Sequence, residues 1–327
     1  MLEMISHGID ISAELTEVSR NPIRRNFQRG VTMKLFEIRT AIASVVCVAL
    51  SVCLAPSVRA MDDRTDLLDF KPEGFSHPAE IDNQWMPLKP GTQLVYSGWK
   101  IDEEDRRVPY QLIVTVTDLL KDVDGIETVV VLEQYFANRK LEVSGLAFRA
   151  QDNEANLWLL GEVKEFYDEN VKLIAARFWA AGLQGSRAGI VMPAKPTAGM
   201  PSYSQGYVES PYAWHDRGQV RETGAKVKVP AGTFDHVVVT EEGSRGGRHA
   251  PPIQVKYHAP GVGCVKVNWV GKDPAKEGLE LSKIVHLGEQ QMEKVSSEAM
   301  KIEQRADYYG LTTEPPRGAA KVRSAQR

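Results

Sequence analysis

Lys226-Val227-Lys228-Val229-Pro230-Ala231-Gly232-Thr233-Phe234-Asp235-His236-Val237-Val238-Val239-Thr240 begins the stretch that decides the fold. Val227 to Val229 alternates, Pro230 to Thr233 turns, and Phe234 to Thr240 runs on as a second strand. After a glycine-rich tip from Glu241 to Pro251, Ile253-Gln254-Val255-Lys256-Tyr257 alternates again. Pro260-Gly261-Val262-Gly263 turns the chain into Val265-Lys266-Val267-Asn268-Trp269-Val270. Short alternating runs bounded by Gly and Pro signal half-buried antiparallel strands.

The same grammar extends upstream. Pro90-Gly91 feeds a strand whose Leu94 and Tyr96 share one face, and Leu112, Val114 and Val116 share one side of the next. Asp124-Gly125, Asn138-Arg139-Lys140, Asp152 to Asn156 and Asp168 to Asn170 read as turns between further strands. The last strand is Leu279 to Leu287. Regular strand spacing without long helical patterns excludes an alternating α/β fold. The expected architecture is mainly β: one large curved antiparallel sheet or open barrel, a meander spanning residues 83–287. One amphipathic helix follows at 288–310, where Met292, Val295, Ala299, Ile302, Ala306 and Tyr309 step by three and four and Gly310 is the stop. Residues 311–327 read as a disordered tail.

The N-terminal 60 residues form a leader. Lys34 and Arg39 precede an almost wholly apolar run from Ala41 to Leu54, and Val58-Arg59-Ala60 offers a cleavage site. This is the order of a secretory signal peptide. Translation is expected to start at Met33, with the signal at 33–60, cleavage near Ala60 and a mature chain from Met61 in the periplasm or medium. An N-terminal membrane anchor would need a longer apolar run, of roughly 20 residues. Cys53 leaves a lipidated alternative open, although Val52 stands where such sites take a small residue. After cleavage at Ala60, Cys264 is the sole cysteine and no intramolecular disulfide can form. Residues 61–82, with Asp62, Asp63, Asp66 and Asp69, read as a solvated acidic arm.

Composition narrows the partners. Of 327 residues, 40 are Lys or Arg and 43 are Asp or Glu, so no basic surplus favours nucleic acid. No membrane span remains after signal cleavage. Phe178 to Val220 is broken by Pro193, Pro196, Pro201 and Pro211 and reads as a long irregular segment, the usual home of a binding site. It carries Trp179, Tyr203, Tyr207, Tyr212, Trp214 and His215, expected either to plug one end of the sheet or to line the mouth of a pocket for an apolar ligand.

Catalytic signatures are missing: no Gly-x-Ser-x-Gly elbow, His-Glu-x-x-His, phosphate loop or dinucleotide fingerprint occurs. No catalytic residue, cofactor or metal ligand is therefore assigned. Alternation places His236 with Phe234 and Val238, as a core histidine. A site assembled across strands from His215, Asp216 or His236, with or without a metal, stays open. Three functions follow: a non-enzymatic exported carrier of an apolar or amphipathic ligand, an envelope assembly module acting on a protein partner through the C-terminal helix, and an enzyme with a cross-strand site.

The motifs Trp85-Met86-Pro87-Leu88-Lys89-Pro90-Gly91-Thr92, Tyr96-Ser97-Gly98, Gln151-Asp152 to Trp158, Val229 to Phe234 and Ala259 to Gly263 resemble a group of secreted bacterial β-rich proteins of unknown function. The resemblance spans most of residues 83–270. It implies a shared β scaffold and an exported location, and it carries over no catalytic residue. The Pro230 to Phe234 turn alone is similar to curved-sheet envelope proteins that carry lipids.

Overall fold

The computed structural model describes residues 68–102, 104–209, 214–244, 253–270, 276–308 and 317–318. The leader 1–60, Tyr212, Tyr309 and the hairpin tip at 245–252 lie outside them.

The chain forms an antiparallel barrel. Its strands are β1 (Thr92–Ile101), β2 (Arg107–Val123), β3 (Ile126–Ala137), β4 (Lys140–Gln151), β5 (Leu157–Tyr167), β6 (Leu173–Ala180), β7 (Arg187–Met192), β8 (Tyr203–Val208), β9 (Trp214–Val229), β10 (Gly232–Ser244), β11 (Ile253–Ala259), β12 (Gly263–Val270) and β13 (Glu277–His286). Helix α1 (Glu289–Tyr308) follows, then the two-residue β14 (Arg317–Gly318). Each strand pairs with its sequence neighbours, except that β6 pairs β5 alone, β7 pairs the start of β5 in its place, and β14 pairs β2. β1 pairs both β13 and β2, and this closes the ring at twelve strands, where the sequence suggested an open barrel at most.

Turn chemistry sets the meander. Asp124 and Gly125 take φ of 54° and 78°, and Asn138 and Arg139 take 49° and 67°. Two successive residues with positive φ match the right-handed twist of the strands they join.

Three readings of the sequence are corrected. Phe178 to Val220 is not an irregular segment, for it supplies all of β7 and β8 and nearly half of β9. Its glycines serve close strand contact: a Cβ on Gly189 would fall 2.3 Å from Gly206 N. The arm is not freely solvated where it is described. Leu68, Phe70 and Phe75 pack on the barrel, with Phe70 and Phe75 set against Trp158 at centroid distances of 5.6 and 5.9 Å. His236 is exposed rather than in the core. The β9–β10 register slips between Phe234 and Val237, and His236 takes φ 58°, so a bulge breaks the alternation.

Helix α1 lies on the outer face of β2, β4 and β5. Ala299, Ile302 and Ala306 are buried against Leu119, Val130, Leu132, Leu146 and Phe148, so its apolar stripe is occupied by the barrel. Two polar clamps fix it. Lys121 Nζ, fully buried, donates to Glu303. Arg305 donates to both oxygens of the buried Glu165, Nε to Oε1 at 2.6 Å and Nη2 to Oε2 at 2.8 Å. A charged pair taken wholly out of water stands only while both partners are present. Glu303→Ala should therefore cost about 3–5 kcal/mol of stability in urea unfolding, and Lys121→Met combined with Glu303→Leu should regain most of it.

Candidate functional site

Barrel closure gives every strand an inner and an outer face. Pairing aligns Val114, Glu133, Gly145 and Lys164 in one row across β2 to β5, and Leu112, Tyr135 and Val143 in the next. These residues face inward. Val130, Leu132, Leu146 and Phe148, one position along, face α1.

The inner faces enclose a lumen of about 490 Å³. Its base is a strap that precedes β1. Asn83, 2% exposed, holds this strap: its Nδ2 donates to Ala155 O at 2.8 Å, and its Oδ1 accepts from Trp85 N and Met86 N at 2.9 and 3.0 Å. Gly261 N donates to Gln84 O at 2.7 Å, tying the strap to the β11–β12 turn across the barrel. Met86, Pro87 and Leu88 thereby reach the lumen beside Leu159 and Val191.

The lumen lining combines an apolar patch with ionisable positions. Leu94, Leu112, Val114, Val262, Val267 and Leu279, from β1, β2, β12, β13 and the turn before β12, give the apolar patch. The lining also carries Glu133, Tyr135, Arg149, Glu162, Lys164, Gln205, Asp216, Glu242, Gln254, Lys256, Trp269 and Glu277, with Trp269 and Glu277 on the same strands as Val267 and Leu279 and the apolar Val131, Leu159 and Val191 among the charged strands. Of these, Glu133, Glu162, Asp216, Glu242 and Glu277 are acidic and Arg149, Lys164 and Lys256 basic, five against three.

Most of these charges are paired, Glu133 with Arg149 and Glu242 with Lys256 across strands and Lys164 with Glu162 within β5. Glu133 accepts from Arg149 Nη2 and from Tyr135 OH, both at 3.2 Å. Burial is the largest single influence on the Glu133 carboxyl and pushes it up, but Lys164, Arg149 and Lys256 together hold it below the usual range. Glu242 accepts from Lys256 Nζ at 2.6 Å and from Thr240 Oγ1 at 3.1 Å. Burial pushes Glu242 up as well, and Lys256 and His258 outweigh it. Lys164 lies 3.3 Å from Glu162, whose charge raises the ammonium above its ordinary value. Glu277 differs: burial lifts its carboxyl above the usual range, against the pull of Gln254, Lys256 and Trp269.

Nucleophilic chemistry at the lumen cysteine is disfavoured. Cys264 lines it, but burial pushes the thiol up to about 11, so the reactive thiolate is scarce at neutral pH. Tyr96 OH donates to Cys264 O at 2.7 Å, and burial keeps that phenol protonated. Among the described residues, no group of three or more His, Cys, Asp or Glu side chains is placed to hold a metal ion.

The aromatic set from the sequence lies elsewhere. Trp179 packs in the cluster around Leu88, Leu159 and Val191. Tyr203 is buried with Val220 and Val238. Tyr207 meets His215 edge-on at 5.9 Å, and His215 Nε2 is hydrogen-bonded to Ser204 Oγ at 3.1 Å. Trp214 begins β9. The lumen lining includes their neighbours Gln205 and Asp216 but not Trp179, Tyr203, Tyr207 or His215. Nor are His215, Asp216 and His236 brought together: Asp216 lines the lumen, while His236 is exposed on the bulge. The lumen charges had one signal in the sequence, ionisable residues inside strands otherwise apolar on both faces, such as Glu133 after Val129-Val130-Val131-Leu132.

No protein-family model matches the chain, and no curated protein is similar to it. Two solved structures are similar at low identity. One is a protein classed as exported, with a YmcC-like fold, from Bacteroides fragilis: 14% identity, TM-score 0.38, covering 61% of this chain and 98% of that one. The other is a protein classed as a lipoprotein from Parabacteroides distasonis: 12% identity, TM-score 0.33, covering 61% and 97%.

His258 gives the inner wall a pH dependence. It is fully buried, its Nε2 is 3.3 Å from Thr240 Oγ1, and burial lowers its pKa to about 4. A group depressed in the fold stabilises it above the unfolded value and loses that contribution as pH falls through the folded one. The His258 contribution should therefore fall by about 2 kcal/mol between pH 7 and pH 5. Glu277, raised in the fold, works in the opposite sense. In paired urea titrations, the stability difference between the parent and His258→Gln should change by that amount over the two pH values.

Proposed function

We propose that this chain is an exported, non-enzymatic carrier that holds an amphipathic small molecule inside the barrel. The observation that carries this reading is a lumen of about 490 Å³ whose wall sets an apolar patch, with Leu112, Val267 and Leu279, beside ionised and ion-paired positions. That volume falls within the roughly 300–1,000 Å³ of small-molecule sites. An apolar wall favours hydrocarbon, and a small number of placed polar groups orients it.

Export rests on the leader, whose charged, apolar and small-residue regions follow one another from Lys34 to Ala60. A carrier exchanged between compartments needs reversible binding, and a lumen without a reactive thiolate suits that use. The barrel supplies rigidity, so affinity does not have to offset the ordering of loops.

Titration with the neutral probe N-phenyl-1-naphthylamine should give saturable fluorescence enhancement at one probe per barrel. Leu112→Trp, which fills the apolar patch, should weaken the probe at least about tenfold. Circular dichroism would check that the variant keeps the parent fold. Linear, unsaturable enhancement in the parent protein would contradict the reading.

A further inference from the structure

Three lumen carboxylates have a cation in contact: Glu133 has Arg149, Glu162 has Lys164, and Glu242 has Lys256. Glu277 has none among the described residues. Gln254 Nε2 donates to it at 2.9 Å and the Trp269 indole stands against it, and both groups are neutral. Lys256 and Lys100 act on it at longer range, but each is in contact with another carboxylate, Glu242 and Glu142. A half-buried carboxylate in contact with neutral partners alone carries a desolvation cost, and a cation brought by a ligand would offset it.

The surroundings of Glu277 suit an organic cation rather than a bare ion. Trp269 lines the lumen beside it, and Tyr135 is close enough for the Glu277 charge to act on its hydroxyl. Aromatic rings attract ammonium groups through their quadrupoles, and Trp does so best. Two residues along the same strands, Val267 and Leu279 pair across β12 and β13 and face the lumen. A charged row and an apolar row thus lie side by side on one wall. Burial pushes the Glu277 carboxyl above its ordinary range, the response of a carboxylate without a cation in contact. An anionic head would find Arg149, Lys164 and Lys256 already joined to carboxylates.

We propose that the lumen selects an amphipathic organic cation, with an amine or quaternary ammonium head at Glu277 and Trp269 and its hydrocarbon part along Val267, Leu279 and Leu112. This inference rests on the carrier reading and specifies its ligand class.

The test is displacement of N-phenyl-1-naphthylamine from the full chain by three ten-carbon competitors below their micellar concentrations. The competitors are decyltrimethylammonium, decanol and decanoate. The cation should displace the probe at a concentration at least about tenfold below the other two. Glu277→Gln should bring the cation to within about threefold of decanol. Decanol or decanoate matching the cation on the parent protein, or Glu277→Gln keeping the full preference, would overturn the inference and leave the carrier reading standing. Displacement by none of the three would overturn both. The ranking on the parent protein decides the ligand class even where the variant folds poorly.

Discussion

The structure depends on one strand being paired along both edges. β1 pairs β13 on one side and β2 on the other, and these two ladders turn a sheet with two open edges into a ring. Local chemistry makes the join possible. A Cβ on Gly98 would fall 1.8 Å from Gly278 O, so only glycine lets the two strands meet there. Where the register slips between Val95 and Tyr96, Ser282 Oγ donates to Val95 O at 2.8 Å and satisfies a carbonyl at the irregularity.

Closure has a consequence for every residue on the wall. On β2 to β5 the outer face lies under α1 and the N-terminal arm, so both faces are away from bulk water. Val130 is fully buried on the outside of β3, and Glu133, 9% exposed, is buried on its inside. Ionised side chains persist inside the barrel because pairs form across strands, Glu133 with Arg149 on β3 and β4 and Glu242 with Lys256 on β10 and β11. The outer pairs, Lys121 with Glu303 and Arg305 with Glu165, follow the same rule and attach the helix. A barrel whose interior were simply filled with Val and Leu would avoid these desolvation costs. Retaining charges inside makes sense for a lumen that has to distinguish one end of a ligand from the other.

Local pattern made the strands and turns legible. Leu94 with Tyr96, and Leu112 with Val114 and Val116, face the interior together, and the stripe from Ala299 through Ile302 to Ala306 packs as its period requires. Closure was not legible, because the β1–β13 ladder joins residues such as Thr92 and His286 that share no local signal. The density of Gly and Pro between Phe178 and Val220 misled for a physical reason: Gly189 serves close strand packing there, not chain freedom. Polar residues in an alternating strand ordinarily face water, and in a closed barrel that rule reverses. Glu133, Arg149 and Lys164 form such an inner face, and the candidate site shifts from aromatic side chains near His215 to charged ones in the lumen.

The central claim is that the lumen is a standing ligand site rather than loosely packed core. Native mass spectrometry of the protein, purified without detergent from the cells that make it, tests this most directly. The account predicts a mass above that of the bare chain, with release of one small amphiphilic molecule on denaturation. A bare mass, from protein that also takes up no amphiphile when one is added before the measurement, would contradict it.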